Sequence, residues 1–228
     1  MAAEGKRYTN ALKEFDRAKL YSLEEAVKLA RKMATAKFDE TIELHFRLGI
    51  DPRHSDQQVR STVLLPHGLG RKVRILAFAE GEDAKYALDG GADVVGGDEI
   101  IARIQSGWLE FDVSIATPSM MAKVGKVARI LGPRGLMPNP KGGTVAPGEQ
   151  LGRVINELKA GRLEFRNDKT GNVHMPVGKA SFDEDKLVEN ARVAFDALLS
   201  IKPSTSKGVY MRRVVVASTM GPGVRVQV

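Results

Sequence analysis

The chain has 228 residues, with 35 lysines and arginines against 28 aspartates and glutamates, a net charge of +7, and no cysteine. The missing thiols exclude disulfide frameworks, thiolate metal sites and thiol catalysis together, and a chain this long buries a core without such staples. No apolar run approaches the roughly 18 residues of a membrane span or forms a secretory leader, so the expectation is a soluble, cytoplasmic protein whose basic surplus suits a polyanion.

The first clear element is a capping box, Ser22-Leu23-Glu24-Glu25, opening a helix to about Met33. From Phe38 to Leu48 the chain alternates. Phe38, Ile42, Leu44, Phe46 and Leu48 share one face, and Asp39, Thr41, Glu43, His45 and Arg47 the other. That period of two predicts a half-buried strand with one open face. A second strand is expected at Val59–Leu65.

The middle has another rhythm. Apolar strands at Val73–Ala79, Ala92–Val95 and Val113–Ala116 alternate with helices at Glu82–Leu88, from a cap at Asp98 to near Gly107, and from Pro118. A glycine- and proline-rich stretch, Gly132–Gly148, precedes a helix at Glu149–Lys159. Such alternation predicts a parallel, doubly wound layer.

The first rhythm then returns. Arg162–Arg166 and Val173–Val177 flank a turn-rich segment that reads as a hairpin. A helix capped by Ser181 or Asp183 runs through Leu199, with Leu187, Ala191, Ala194, Phe195 and Leu198 as its apolar stripe. Tyr210–Ser218 is strand-like. Met220–Gly223 turns the chain, and Val224, Val226 and Val228 alternate after it. Neither flank makes a good core alone. The economical layout is a split α+β domain, residues 1–67 plus 160–228, with helices on one face of its sheet and both termini within it. A Rossmann-like α/β domain, 68–159, is inserted.

Catalytic signatures are missing. His45, His54, His67 and His174 form no His-Glu-x-x-His pair, there is no Gly-x-Ser-x-Gly elbow, and the P-loop pattern fails at Val173 and Ala180. No cofactor or metal is expected, and no enzymatic activity. An RNA-processing enzyme would need such a fingerprint. A DNA reader would place its basic residues on a major-groove helix, whereas here they fall largely on loops and strands. Two tracts carry five basic residues and no acid: Lys123–Lys141, and Ala197 to the end. Phosphate contact favours such tracts.

Three constellations remain. In Thr35–Thr41, Lys37 offers a phosphate contact, and Phe38 is either a stacking platform or a packing anchor on the apolar face. Thr41, Glu43 and His45 can bond 2′-hydroxyls or base edges. Ser218–Pro222 joins a hydroxyl, a thioether and a glycine that permits close approach. Ile130–Lys141 displays Arg134 and Lys141 on an irregular loop, either an anion site or a structural cover.

On these residues the chain resembles the family of large ribosomal subunit protein one, in its bacterial type. The resemblance runs through Gly5–Tyr8, Ala34–Thr41, Leu48–Arg53, Leu65–Gly70, Leu131–Lys141, Phe165–Gly171, Pro176–Phe182 and Thr219–Pro222. Departures fall at Ala2-Ala3-Glu4, at His54 and at residues 146–150. The resemblance implies a structural protein that binds the mobile stalk of large-subunit ribosomal RNA near the exit site and assists release of deacylated transfer RNA. It also implies repression of its own operon messenger RNA, and a monomer when free of the ribosome. The RNA-contact positions it implies are Lys37, Phe38, Thr41, Glu43, Arg166, Asp168, Thr170, Thr219, Met220 and Gly221, with Arg134 and Lys141 as a secondary basic loop.

Overall fold

The computed structural model describes residues 5–227; Ala2-Ala3-Glu4 and Val228 lie outside them. The elements begin with α1 (Lys6–Ala11), α2 (Leu23–Lys32), β1 (Thr41–Leu48) and β2 (Arg60–Leu64). Next come β3 (Ile75–Phe78), α3 (Glu82–Asp89), β4 (Val94–Gly96), α4 (Asp98–Gln105), β5 (Val113–Ala116), α5 (Met121–Val124), α6 (Ala128–Leu131) and α7 (Gly148–Ala160). The chain ends with β6 (Arg162–Arg166), β7 (Asn172–Lys179), α8 (Glu184–Ser200), β8 (Met211–Ser218) and β9 (Val224–Val226). It divides into two compact units: residues up to Gly70 together with those from Leu163 on, and Arg71–Arg162.

The first unit is built on an antiparallel sheet of order β7-β1-β8-β9. Ile42, Leu44, Phe46 and Leu48 are buried, in one core with Ala26, Val27 and Ala30 of α2 and Leu187, Ala191, Ala194 and Leu198 of α8. Each of the larger of these side chains, from Val27 to Phe46, stabilises by roughly 1.5–3 kcal/mol when fully buried. A slip of one residue would turn this whole set to water, so the alternation itself holds the register. Among the described residues, helices cover only that face. The open face carries Thr41, Glu43, His45 and Arg47 in a row. Both reciprocal bonds of the capping box form, Glu25 N–H to Ser22 Oγ (3.2 Å) and Ser22 N–H to Glu25 Oε2 (3.3 Å).

Four expectations change. Strand β1 starts at Thr41 rather than Phe38, and Phe38 is 54% exposed. Glu40 is the buried residue there, because its carboxylate finds backbone donors. Strands β6 and β7 do not form a hairpin: β6 joins β2, β7 joins β1, and a lone bridge, Asn167↔Val173, links them. Asn167 draws the chain toward Val59 instead, accepting from its N–H at 2.7 Å and donating its own N–H to the Val59 carbonyl at 2.9 Å. Asp98 is the first helical residue after Gly97, not the cap. Of the two caps expected for α8, Asp183 takes the N-cap position and Ser181 does not, its hydroxyl donating to Asp39; but the Asp183 carboxylate makes no capping bond and pairs instead with Lys186 at 2.8 Å.

In the second unit β4, β3 and β5 form a parallel sheet in that order. Leu76 and Phe78 join a core with Ile100, Ile104, Val124 and Leu131, while Ile75 and Ala77 join another with Ala87, Leu151 and Ile155. Coverage of both faces explains why β3 reads as an unbroken apolar run. The Leu131–Lys141 stretch is anchored inward by Leu131, Leu136 and Met137 and by a bond from the Ser114 hydroxyl to the Leu136 carbonyl. Asn139 caps its end, accepting from the Lys141 N–H at 2.8 Å. Arg134 and Lys141 stand exposed on this cover. The nearby tract is less basic than it reads, because Lys123 bonds Glu80 at 2.6 Å and Asp98 at 3.0 Å.

Candidate nucleic-acid interface

The sheet positions most candidate residues at two ends of its open face. At the first end, three segments converge on the start of β1. The Glu40 side chain, 1% exposed, accepts from the Ala36 N–H through Oε1 (2.8 Å) and from the Met220 N–H through Oε2 (2.9 Å). Burial by itself would raise its pKa. The Met220 and Ala36 backbone donors outweigh that effect, and the Arg7 charge adds to them, so the carboxyl is held below its ordinary value. The buried Ser218 hydroxyl meets no strict hydrogen-bond geometry but acts on this carboxylate in the same sense.

Thr219 tightens the same junction. Its hydroxyl accepts from the Thr41 N–H (2.9 Å) and lies 3.3 Å from the Thr41 carbonyl, which also takes the Thr219 N–H at 3.0 Å. The hydroxyl that reads as an RNA contact thus also serves the fold. Gly221 closes the turn by donating its N–H to the Ser218 carbonyl at 3.1 Å. A Cβ on Gly221 would come within 2.4 Å of Ser218 Oγ, which explains the glycine. From the third segment, Lys179 donates to Thr41 Oγ1 (2.9 Å), and Ser181 Oγ donates to Asp39 (2.8 Å). With these segments pinned, Lys37, Phe38 and Met220 stand outward, Met220 at 52% exposure.

At the other end lies the 166–172 loop. Asp168 turns inward on it. Its carboxylate accepts from the N–H and hydroxyl of Thr170 and from the N–H and side-chain amide of Asn172, all at 2.8–3.0 Å. Partial burial opposes ionisation, yet these Asn172 and Thr170 donors hold the carboxyl far below the usual carboxylate range. The loop is braced against β1 by Arg47, whose Nη1 donates to the Thr170 carbonyl (2.5 Å) and Asn172 Oδ1 (3.2 Å). Arg166 and the loop tip remain exposed. Asp168→Ala takes the acceptor from four donors of a partly exposed loop, and the expected cost is about 1–2 kcal/mol in urea unfolding.

Between the ends run Glu43 and His45. His45 lies across from His174, with the two Nδ1 atoms 2.8 Å apart. Burial and the neighbouring His174 imidazole hold the His45 pKa below its ordinary value, against the pull of Glu43, whose Oε2 is 3.8 Å from His45 Nε2. At roughly 3.4 Å per residue, Thr41 and Arg47 stand about 20 Å apart along β1. The structure thus joins Lys37, Phe38, Thr41, Thr219, Met220 and Gly221 into one cluster, and Arg166, Asp168 and Thr170 into a second. Glu43 lies on the face between them. Arg134 and Lys141 belong to the other compact unit.

Sequence reasoning passed over Glu40, Lys179 and Arg47. Each bonds a residue it did select, Met220, Thr41 and Thr170 in turn, but the partners are remote in the chain. Among the described residues no group of three or more histidines, aspartates and glutamates is disposed to hold a metal, and no helix is long and apolar enough to cross a membrane. Residues 30–222 match the model of the ribosomal protein L1p/L10e family. That family comprises structural, non-enzymatic proteins that bind ribosomal RNA in the large subunit.

Proposed function

Because the chain belongs to the ribosomal protein L1p/L10e family, we propose that its four-stranded unit grips the mobile stalk of large-subunit ribosomal RNA, near the exit site, and assists release of deacylated transfer RNA. As a protein of the bacterial type it also represses its own operon, by binding a messenger RNA that mimics the ribosomal site. It is a monomer when free of the ribosome. On this reading the two compact units are separate domains, the middle one inserted into the RNA-binding one.

One observation carries the reading. Two exposed apolar side chains, Phe38 and Met220, stand on different segments that a single buried carboxylate ties together. Held in place beside an open sheet, they give a partner apolar surface to pack on. Flat apolar and hydroxyl-bearing surface beside an open sheet suits the shallow minor groove of folded RNA, where shape and 2′-hydroxyls are read. The test is filter binding of the full chain to a stalk stem-loop and to a DNA copy of it, with the operon leader transcript as competitor. RNA should bind, and the DNA copy should bind at least about tenfold more weakly, a difference of about 1.4 kcal/mol. The leader should displace the stalk. Equal binding of DNA overturns the reading.

A further inference from the structure

At the Arg47 end of the open face the surface sinks into a depression of about 460 Å³. Arg47, Arg212, Arg213, His45, His174 and Asn172 line it with two neighbours, and none of the lining residues is an acid. Two consecutive arginines on a regular strand would point to opposite faces. Here the ladder slips: Arg47 faces Arg213, Leu48 faces Met211, and Arg212 is the extra residue between them. A bulge of this kind re-aims the side chains of the strand that carries it, and Arg212 and Arg213 both stand exposed.

The result is a concentration of positive charge in a depression that no carboxylate lines among the described residues. Arg213 sits directly across from Arg47, and like charges in that relation repel. Arg47 bonds only neutral acceptors there, the Thr170 carbonyl and the Asn172 amide oxygen. Among the described residues none of the three guanidiniums is paired with a carboxylate. Two acids stand beside the lining imidazoles: Glu43 lies 3.8 Å from His45 Nε2, and Asp168 lies 3.9 Å from His174 Nε2. Asp168 is already engaged by its own loop. Guanidinium forks match phosphate oxygens, and a bound anion would remove the mutual repulsion.

We propose that this depression is a phosphate cradle that takes one phosphodiester of the RNA bound by the same unit. The inference rests on the RNA-binding reading above and extends the footprint along the whole open face, from the Met220 turn to the Arg212–Arg213 bulge.

The experiment compares the full-length wild type, R212Q/R213Q and Met220→Ala on the stalk stem-loop across a salt series, with thermal melts as the folding control. The double variant should lose about tenfold in affinity, and its log–log salt slope should flatten by about 0.9, the value of one neutralised phosphate. Met220→Ala should lose affinity at an unchanged slope. Wild-type binding with an unchanged slope in R212Q/R213Q overturns the cradle and leaves the RNA reading standing. Failure of the wild type to bind overturns the RNA reading, and the cradle is then decided by titrating inorganic phosphate while following the His45 and His174 ring protons by NMR. Shifts that vanish in R212Q/R213Q support it, and shifts absent from the wild type overturn it.

Discussion

Met220→Glu is expected to lower affinity for the stalk RNA by about a hundredfold or more while leaving the melting temperature near that of the wild type. The side chain is half exposed, and what holds the turn in place is the backbone N–H of Met220, not its thioether. Substitution therefore leaves the bond to Glu40 intact and changes only what the turn presents. A carboxylate set about 5 Å from a backbone phosphate, at an effective dielectric near 20, is repelled by roughly 3 kcal/mol, and each 1.4 kcal/mol is about tenfold in affinity. Met220→Leu keeps an apolar surface of similar volume and should bind within a few-fold of the wild type. The pair separates apolar contact from charge. If Met220→Glu binds as tightly as the wild type in a filter assay, the turn is not in the interface.

The elements of both units were largely legible because burial leaves a periodic trace. One-sided burial writes the alternation of Ile42, Leu44, Phe46 and Leu48, and two-sided burial writes the apolar run of β3. The capping box was legible because both partners lie within four residues. What escaped depends on partners far apart in the chain. Glu40 reads as a polar interruption, since the Met220 N–H that justifies its burial is 180 positions away. The turn chemistry of Asn167–Asn172 marks a change of direction without saying which strand each arm joins, and β6 and β7 joined different sheets. Lys123 reads as a free cation because Glu80 and Asp98 lie 43 and 25 positions before it. The Arg212 bulge leaves no mark either, since two arginines in a strand look like one facing each way. Family motifs located Thr219, Met220 and Gly221. That the Thr219 hydroxyl serves the fold while Met220 faces outward follows only from the geometry.

Glu40→Ala should be the most damaging single change at the site, because it strikes both loops at once. It leaves the Ala36 and Met220 N–H groups without their acceptor, and each hydrogen bond to a charged group contributes about 1.5–3 kcal/mol. The expected loss is about 2–4 kcal/mol of stability, since water entering the vacated space offsets part of it. RNA affinity should fall with it, because Phe38 and Met220 are no longer held in one arrangement. Hydrogen exchange at the Ala36 and Met220 amides should accelerate before the sheet opens, a sign of local release rather than global unfolding. Protonation should act in the same direction. The folded-state pKa of Glu40 is depressed, so its contribution is complete above the unfolded carboxylate value near 4.3 and is lost as pH falls through the lower folded value. Asp168 is depressed as well and adds a loss of the same sign at still lower pH. Stability from these two groups should therefore be flat from neutrality to about pH 5 and decline below it. Glu40→Gln, uncharged throughout, should show a shallower decline in urea melts between pH 5 and 3. A variant whose acid limb coincides with that of the wild type, and whose Met220 amide exchanges no faster, would show that the Glu40 carboxylate does not hold the two loops together.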